Sequence, residues 1–322
     1  MQKDLTTGSV FKNVLYFSLP YLLSYFLQTL YGMADLFIIG QFEGTASITA
    51  VSIGSQLMHM ITVMLVGLAM GVTVGIGRAV GAHDERGAGT VIGNAVTLFL
   101  AVSVVLAAVL TALVQPILSI MSTPAEAVPG AAAYLTICFI GIPCITAYNI
   151  IASIFRGLGD SRSPMYFIAV ACAANIALDY LFMGALQMGP AGAALGTTLA
   201  QGISVAVSLA VILRRKSGVR LRKSDLLPKK PVTGRILRIG VPVALQDGLI
   251  QISFLLITVI ANRRGLTDAA AVGIVEKIIS FIFLVPSSML STVSALGAQN
   301  VGAGKHDRAA RTLYYAIGIS LT

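Results

Sequence analysis

Apolar stretches long enough to cross a bilayer alternate with short polar gaps along nearly the whole chain. They fall at 14–38, 48–76, 89–114, 131–154, 164–184, 191–213, 236–260 and 269–297, and a ninth begins near residue 310. A helix needs about 20 apolar residues to span a membrane, so each stretch predicts one span. The first is too long for a signal-peptide core, contains Pro20 and Asp35, and is not followed by a small-residue cleavage site. It reads as a retained span. The pattern predicts an all-α integral membrane protein.

The pattern also repeats. Pro20 in SLP matches Pro242 in GVP at an offset of 222, and Ala50 in ITAV resembles Ala271 in AAAV at 221. The loop AVGAHDERGA matches NVGAGKHDRAA at 221 to 222. Three matches in order at one offset indicate a duplicated unit. Six spans per unit give both halves the same orientation, related by an axis along the membrane normal. The expected organisation is a six-helix lobe over 1–213, a basic cytoplasmic linker over 214–235, and the start of a second six-helix lobe over 236–322, with two helices and part of a third. A complete second copy would end near residue 435, roughly 113 residues past Thr322, so the sequence is expected to be a C-terminally truncated form of a twelve-span protein.

Composition agrees with the spans and excludes other classes. Hydrophobic residues make up 56% and charged residues 11%, with a mean hydropathy of +0.87. Soluble domains carry about 25% charged residues, so the exterior is expected to face lipid. The net charge of +9 does not imply nucleic acid, because the basic residues sit in the gaps between spans. Nineteen of the 22 Lys and Arg fall on the side of the N-terminus, and ten of these lie between Arg214 and Arg238. The positive-inside bias therefore predicts a cytoplasmic N-terminus. Cys138, Cys144 and Cys172 all lie in apolar runs without metal-ligand spacing, which supports neither a disulfide framework nor a structural metal site.

Ionisable groups inside spans mark function by default, because each costs roughly 2.5 to 3.5 kcal/mol to insert. Asp35 lies near the outer end of span one. Asp179 lies near the outer end of span five, with Asn175 one turn below on the same face. Thr197 lies between one and two turns into span six. Two carboxylates, an amide and a hydroxyl at one depth suit a proton or a sodium ion. Pro20 weakens the helix ladder about four turns before Asp35 and is a candidate bend. Gly67, Gly71 and Gly75 form a small-residue ridge for close helix packing. Met58 and Met64, with Asp247 and Glu276, are candidates for lining a substrate cavity. No Walker A motif and no catalytic constellation is present, so neither ATP drive nor enzymatic chemistry is expected from this chain.

These motifs carry a resemblance. LP at Leu19–Pro20, QTLYGMADLFIIG ending at Gly40, VGAHDERGA, FRGLGD at Phe155–Asp160 followed by Pro164, NIALDYLF at Asn175–Phe182, GAALGTTLAQ from Gly192 and NVGAGKHDRA together resemble the multidrug and toxic compound extrusion (MATE) family over the whole chain. Asp35 with Asn175 and Asp179 is similar to the branch typified by the DNA-damage-inducible protein F. The resemblance implies secondary active efflux: H+ or Na+ enters while an amphipathic, often cationic compound leaves, by alternating access. It implies Asp35, Asn175, Asp179 and Thr197 as the coupling site and Pro20 as the bend of the first helix. It implies no cofactor beyond the coupling ion, small-molecule substrates, no nucleic acid, and a monomer in a bacterial-type plasma membrane. Another branch uses an acid on the seventh span. Here the acid on that span is Asp247, near its cytoplasmic half, and that role is not carried over.

Two alternatives stand beside efflux. A lipid-linked oligosaccharide flippase of the same superfamily would need a strongly cationic central cavity, and among the spans Lys277 is the only interior lysine or arginine. An inactive truncated membrane fragment would leave the acidic set without a task.

Overall fold

The computed structural model describes residues 4–214, 222–264, 271–272, 275 and 278–321. Glu276 and Lys277 lie outside them. Eleven helices of seven residues or more are described, and no strand appears among the described residues. They are α1 (Val10–Phe42), α2 (Thr45–Gly81), α3 (Glu85–Ala112), α4 (Val114–Ile120), α5 (Val128–Ile140), α6 (Ile142–Gly157), α7 (Arg162–Asp179), α8 (Gly189–Arg214), α9 (Lys230–Arg264), α10 (Leu284–Gly302) and α11 (His306–Leu321). Seven of the helical stretches are long and apolar enough to cross a membrane, and α5 with α6 forms an eighth. This is a multi-pass membrane protein.

The fourth expected span is not one straight helix. Its two halves, α5 and α6, meet at a 48° bend. Gly141 sits at the break and Pro143 in the first turn of α6, where proline's missing N–H costs nothing. A Cβ on Gly141 would strike the Thr198 side chain of α8, so the bend seats that side chain against the α5–α6 backbone. A second correction concerns the stretch assigned to the linker: α9 begins at Lys230, six residues before the expected start. Residues 222–229 are docked rather than free. Asp225 accepts from the Arg222 amide at 3.0 Å and the Thr90 hydroxyl at 3.2 Å. Asn94 of α3 donates to the Asp225 carbonyl at 3.1 Å and accepts from the Lys229 amide at 2.6 Å.

The duplication is visible in the backbone. Ala82 and Ala303 cap α2 and α10 with matching amide bonds, each 3.0 Å, to Arg78 and Gln299. The next residues, His83 and Gly304, both turn into the left-handed region at φ 55° and 72°. The tertiary contacts repeat as well. A Cβ on Gly81 would collide with the Gln299 carbonyl, and one on Gly302 with the Arg78 carbonyl. Gln299 is the counterpart of Arg78 at an offset of 221, so these are one contact generated twice by a pseudo-two-fold axis. The same axis pairs α2 against α9 with α10 against α1, while α2 and α10 cross at its centre.

The two halves meet along the part of α2 that ends at Gly81. Gly67 approaches Ala244, Gly71 approaches the Ile236 carbonyl, and Gly248 approaches Met64. Phe17 and Tyr21 of α1 pack with Met289 and Leu296 of α10 in one core cluster. Further along α9, Leu249, Leu256 and Ile260 are exposed. A second core cluster, around Ile38, Leu65, Tyr134, Phe139 and Met183, fills the first half away from the seam. The candidate site lies in that part of the molecule.

Candidate cation site

Three helices supply the acidic cluster. Asp35 stands on α1 two turns before its end, 3% exposed. Asn175 and Asp179 stand one turn apart on α7 and are fully buried. Thr197 stands on α8, half-buried, and its hydroxyl donates to Asp35 Oδ2 at 3.4 Å. The structure thus brings all four residues to one place. Asp35 faces both Asp179 and Asn175 closely enough for their side chains to interact. No formed hydrogen bond joins those three: Asp35 Oδ1, both oxygens of Asp179, and both polar atoms of Asn175 are buried without a partner among the described residues. Buried polar atoms in folded proteins are nearly always satisfied. Five orphans in one cluster, four of them oxygens, mark a polar site whose hydrogen-bonding capacity is unmet by the protein.

Local sequence explains the convergence. Asp179 is the last residue of α7, and the chain continues into a single π-helical stretch, Tyr180–Ala185. Such wide turns occur mostly as short insertions, often at functional sites. Gly196, one residue before Thr197, has no side chain because Asp179 Oδ1 occupies the space where a Cβ would be. Sequence reading missed Gly196. It also missed Tyr31, one turn before Asp35, and Thr198 and Gln201 on α8, all three with buried unpartnered oxygens. The signal available was spacing, since Tyr31 is four residues from Asp35 and Gln201 four from Thr197.

The other named residues lie elsewhere. Pro20 is buried within α1, which continues through it. Met58 is buried in the core of the first half. Its position at i+4 from buried Gly54, on the inward face of α2, decides this. Met64 and Asp247 are half-buried at the seam, facing Gly248 and Gly67 respectively. Glu276 lies outside the described residues. His59 is exposed.

The family model described as MatE matches residues 20–181 and again 242–322, opening at Pro20 and at Pro242. The chain belongs to the MatE family. Among its relatives is the probable multidrug resistance protein YpnP of Bacillus subtilis, 30% identical over 305 residues, which cover 95% of this chain and 68% of YpnP. The structure superposes on the outward-facing conformation of a multidrug resistance MATE family transporter with a TM-score of 0.88 at 25% identity, covering 98% of this chain and 70% of that one. It superposes equally, at 0.88 and 25%, on a MATE crystal structure in the bent conformation, with the same coverage. This MatE chain thus spans about two thirds of the length of the relatives it matches, and the two-fold family match follows the internal repeat.

Proposed function

We propose that this chain carries the ion-coupling half of a multidrug efflux transporter. In this reading amphipathic, often cationic compounds leave in exchange for H+ or Na+, and the coupling ion is held by Asp35, Asn175, Asp179 and Thr197. The observation that supports it is the set of unpartnered oxygens on Asp35 and Asp179. Two carboxylates facing one another in a dry lobe cannot both stay ionised without a cation or a shared proton. Thr197, Asn175 and the carboxylates offer oxygen donors suited to a small hard cation, and the same carboxylates suit a proton.

With the N-terminus cytoplasmic, the seam seals the cytoplasmic end and the acidic cluster lies toward the outside of a plasma membrane. Ion entry from outside then biases the equilibrium between the two arrangements of the lobes, and substrate favours the opposite one. Pro20 lies on α1 within the seam, about four turns before Asp35, and is the point at which that helix bends. The protein acts as a monomer and needs no cofactor.

The test is export of a fluorescent amphipathic cation into the lumen of everted vesicles containing the protein, with proton and sodium gradients imposed one at a time. Efflux driven by one of them is expected and identifies the ion. No gradient-dependent efflux with either would overturn the reading in favour of an inactive chain.

A further inference from the structure

Apart from the acidic cluster, a polar cavity in the first half is built around a cation, Arg156. A cavity of about 30 Å³ is lined by Tyr21 and Tyr25 of α1 and by Tyr148, Asn149 and Arg156 of α6, among others. A second cavity of about 10 Å³ shares Arg156 and reaches Ser291 of α10. Asp35 is ten residues further along α1 than Tyr25, about 15 Å of helix, so this is a separate place.

The lining is rich in donors and contains neither Asp nor Glu. Arg156 donates to the Ser153 hydroxyl at 2.7 Å and its guanidinium stands 5.9 Å from the centre of the Tyr21 ring. It forms no ion pair among the described residues. Asp160, four residues on, engages the amides of Arg162 and Ser163 and the Ser163 hydroxyl. Tyr21 is 3% exposed, and its hydroxyl is buried without a partner among the described residues. The Tyr25 hydroxyl meets Ser291 Oγ at 2.9 Å, closing the rim from the other half. Asp160 lies near enough to act on Tyr21, but no carboxylate lines the void itself, and a half-buried guanidinium with an orphan hydroxyl around it is an arrangement that an anion would complete. The planar fork of arginine suits a carboxylate in particular, and the volume admits little more than one or two water-sized groups.

We infer that this cavity binds a small monovalent anionic group, the carboxylate of a ligand or a halide ion, between Arg156 and Tyr21. The inference stands on residues that the Asp35 cluster does not use, and it holds whichever cation drives transport. Because Tyr25 and Ser291 join the halves at the cavity rim, an occupant stabilises the arrangement in which the halves meet there.

The experiment is thermal melting of the detergent-purified full chain at fixed ionic strength set by sulfate, with chloride or benzoate titrated in. A saturable rise in melting temperature is expected in the native protein. In Arg156→Gln the half-saturating concentration should rise about tenfold or more, as expected for loss of a charge-assisted hydrogen bond. Arg162→Gln, at the same end of the molecule, should respond like the native protein. A rise with benzoate alone assigns the site to a ligand carboxylate, and a rise with chloride alone to a free halide. Tyr21→Phe removes the hydroxyl and keeps the ring. It should weaken the response several-fold and decides the matter if Arg156→Gln does not fold. No saturable response to either anion, or an unchanged response in Arg156→Gln, or in Tyr21→Phe where that variant decides, overturns the inference.

Discussion

Gly196 shows how much of the candidate site depends on a residue with no chemistry of its own. Its missing side chain is the space taken by the Asp179 carboxylate. Gly196→Ala should therefore push Asp179 off its position while leaving the helix itself slightly favoured. The expected outcome is gradient-driven efflux reduced about tenfold with unchanged expression. Gly202→Ala on the same helix, where a Cβ meets nothing within 4 Å, should be neutral. Thr197→Val removes the one formed hydrogen bond to Asp35 and leaves Oδ2 unsatisfied, at a cost of about 1–3 kcal/mol of ion binding. Ion titration of transport should show the apparent affinity falling by about tenfold. Asp35, Asn175, Asp179 and Thr197 were legible in the sequence because charge inside an apolar run is conspicuous. Gly196 and Tyr31 were not, because a glycine and a tyrosine in a span usually signify packing.

At the scale of elements, the seam is set by backbone approaching backbone. Gly81 and Gly302 face carbonyls of the opposite half, and a carbonyl held in a helix cannot give way as a flexible side chain can. Gly81→Ala and Gly302→Ala should each destabilise the closed end by about 1–3 kcal/mol. The pseudo-two-fold axis predicts similar losses of melting temperature for the two. The segment before α9 is a second such element. The Arg222 amide and the Thr90 hydroxyl hold the Asp225 carboxyl below its ordinary value. The docking it contributes is therefore intact above that ordinary value and lost only as pH falls through the lowered one. Protection of the Lys229 amide from hydrogen exchange, relative to a free amide at the same pH, should stay high from neutral pH into mild acid and fall below that range. Protection already lost near neutrality would contradict the role of Asp225. The seam was readable in part, since the ridge of Gly67 and Gly71 meets Ala244 and Ile236 there; the docked segment was not. The run Arg214–Arg235 has the composition of a solvated linker, and the docking of residues 222–229 depends on Asn94 and Thr97, polar residues that a hydropathy pattern treats as interruptions of α3. The bend between α5 and α6 was likewise hidden, although Gly141 and Pro143 supply its cause.

For the whole molecule, the arrangement follows from a duplicated unit whose copies share an orientation. Pro20 and Pro242, the AVGAHDERGA and NVGAGKHDRAA loops, and the paired Gly81 and Gly302 contacts all express the same offset. This level was the most legible of the three, since span length and repeat spacing depend on bilayer thickness and on chain order rather than on side-chain detail. Interhelical geometry was less legible, because it rests on where single glycines meet carbonyls. The central claim is that Asp35 and Asp179 hold the ion that drives export. Asn in place of either keeps shape and hydrogen bonding but can neither take up a proton nor balance a cation, and it removes a desolvation cost, so folding should survive. The most direct measurement is gradient-driven dye export into the lumen of everted vesicles carrying Asp35→Asn or Asp179→Asn, with dye binding measured separately. Loss of uphill efflux in each, with binding retained, is the predicted result, and efflux at the native rate in both would contradict it.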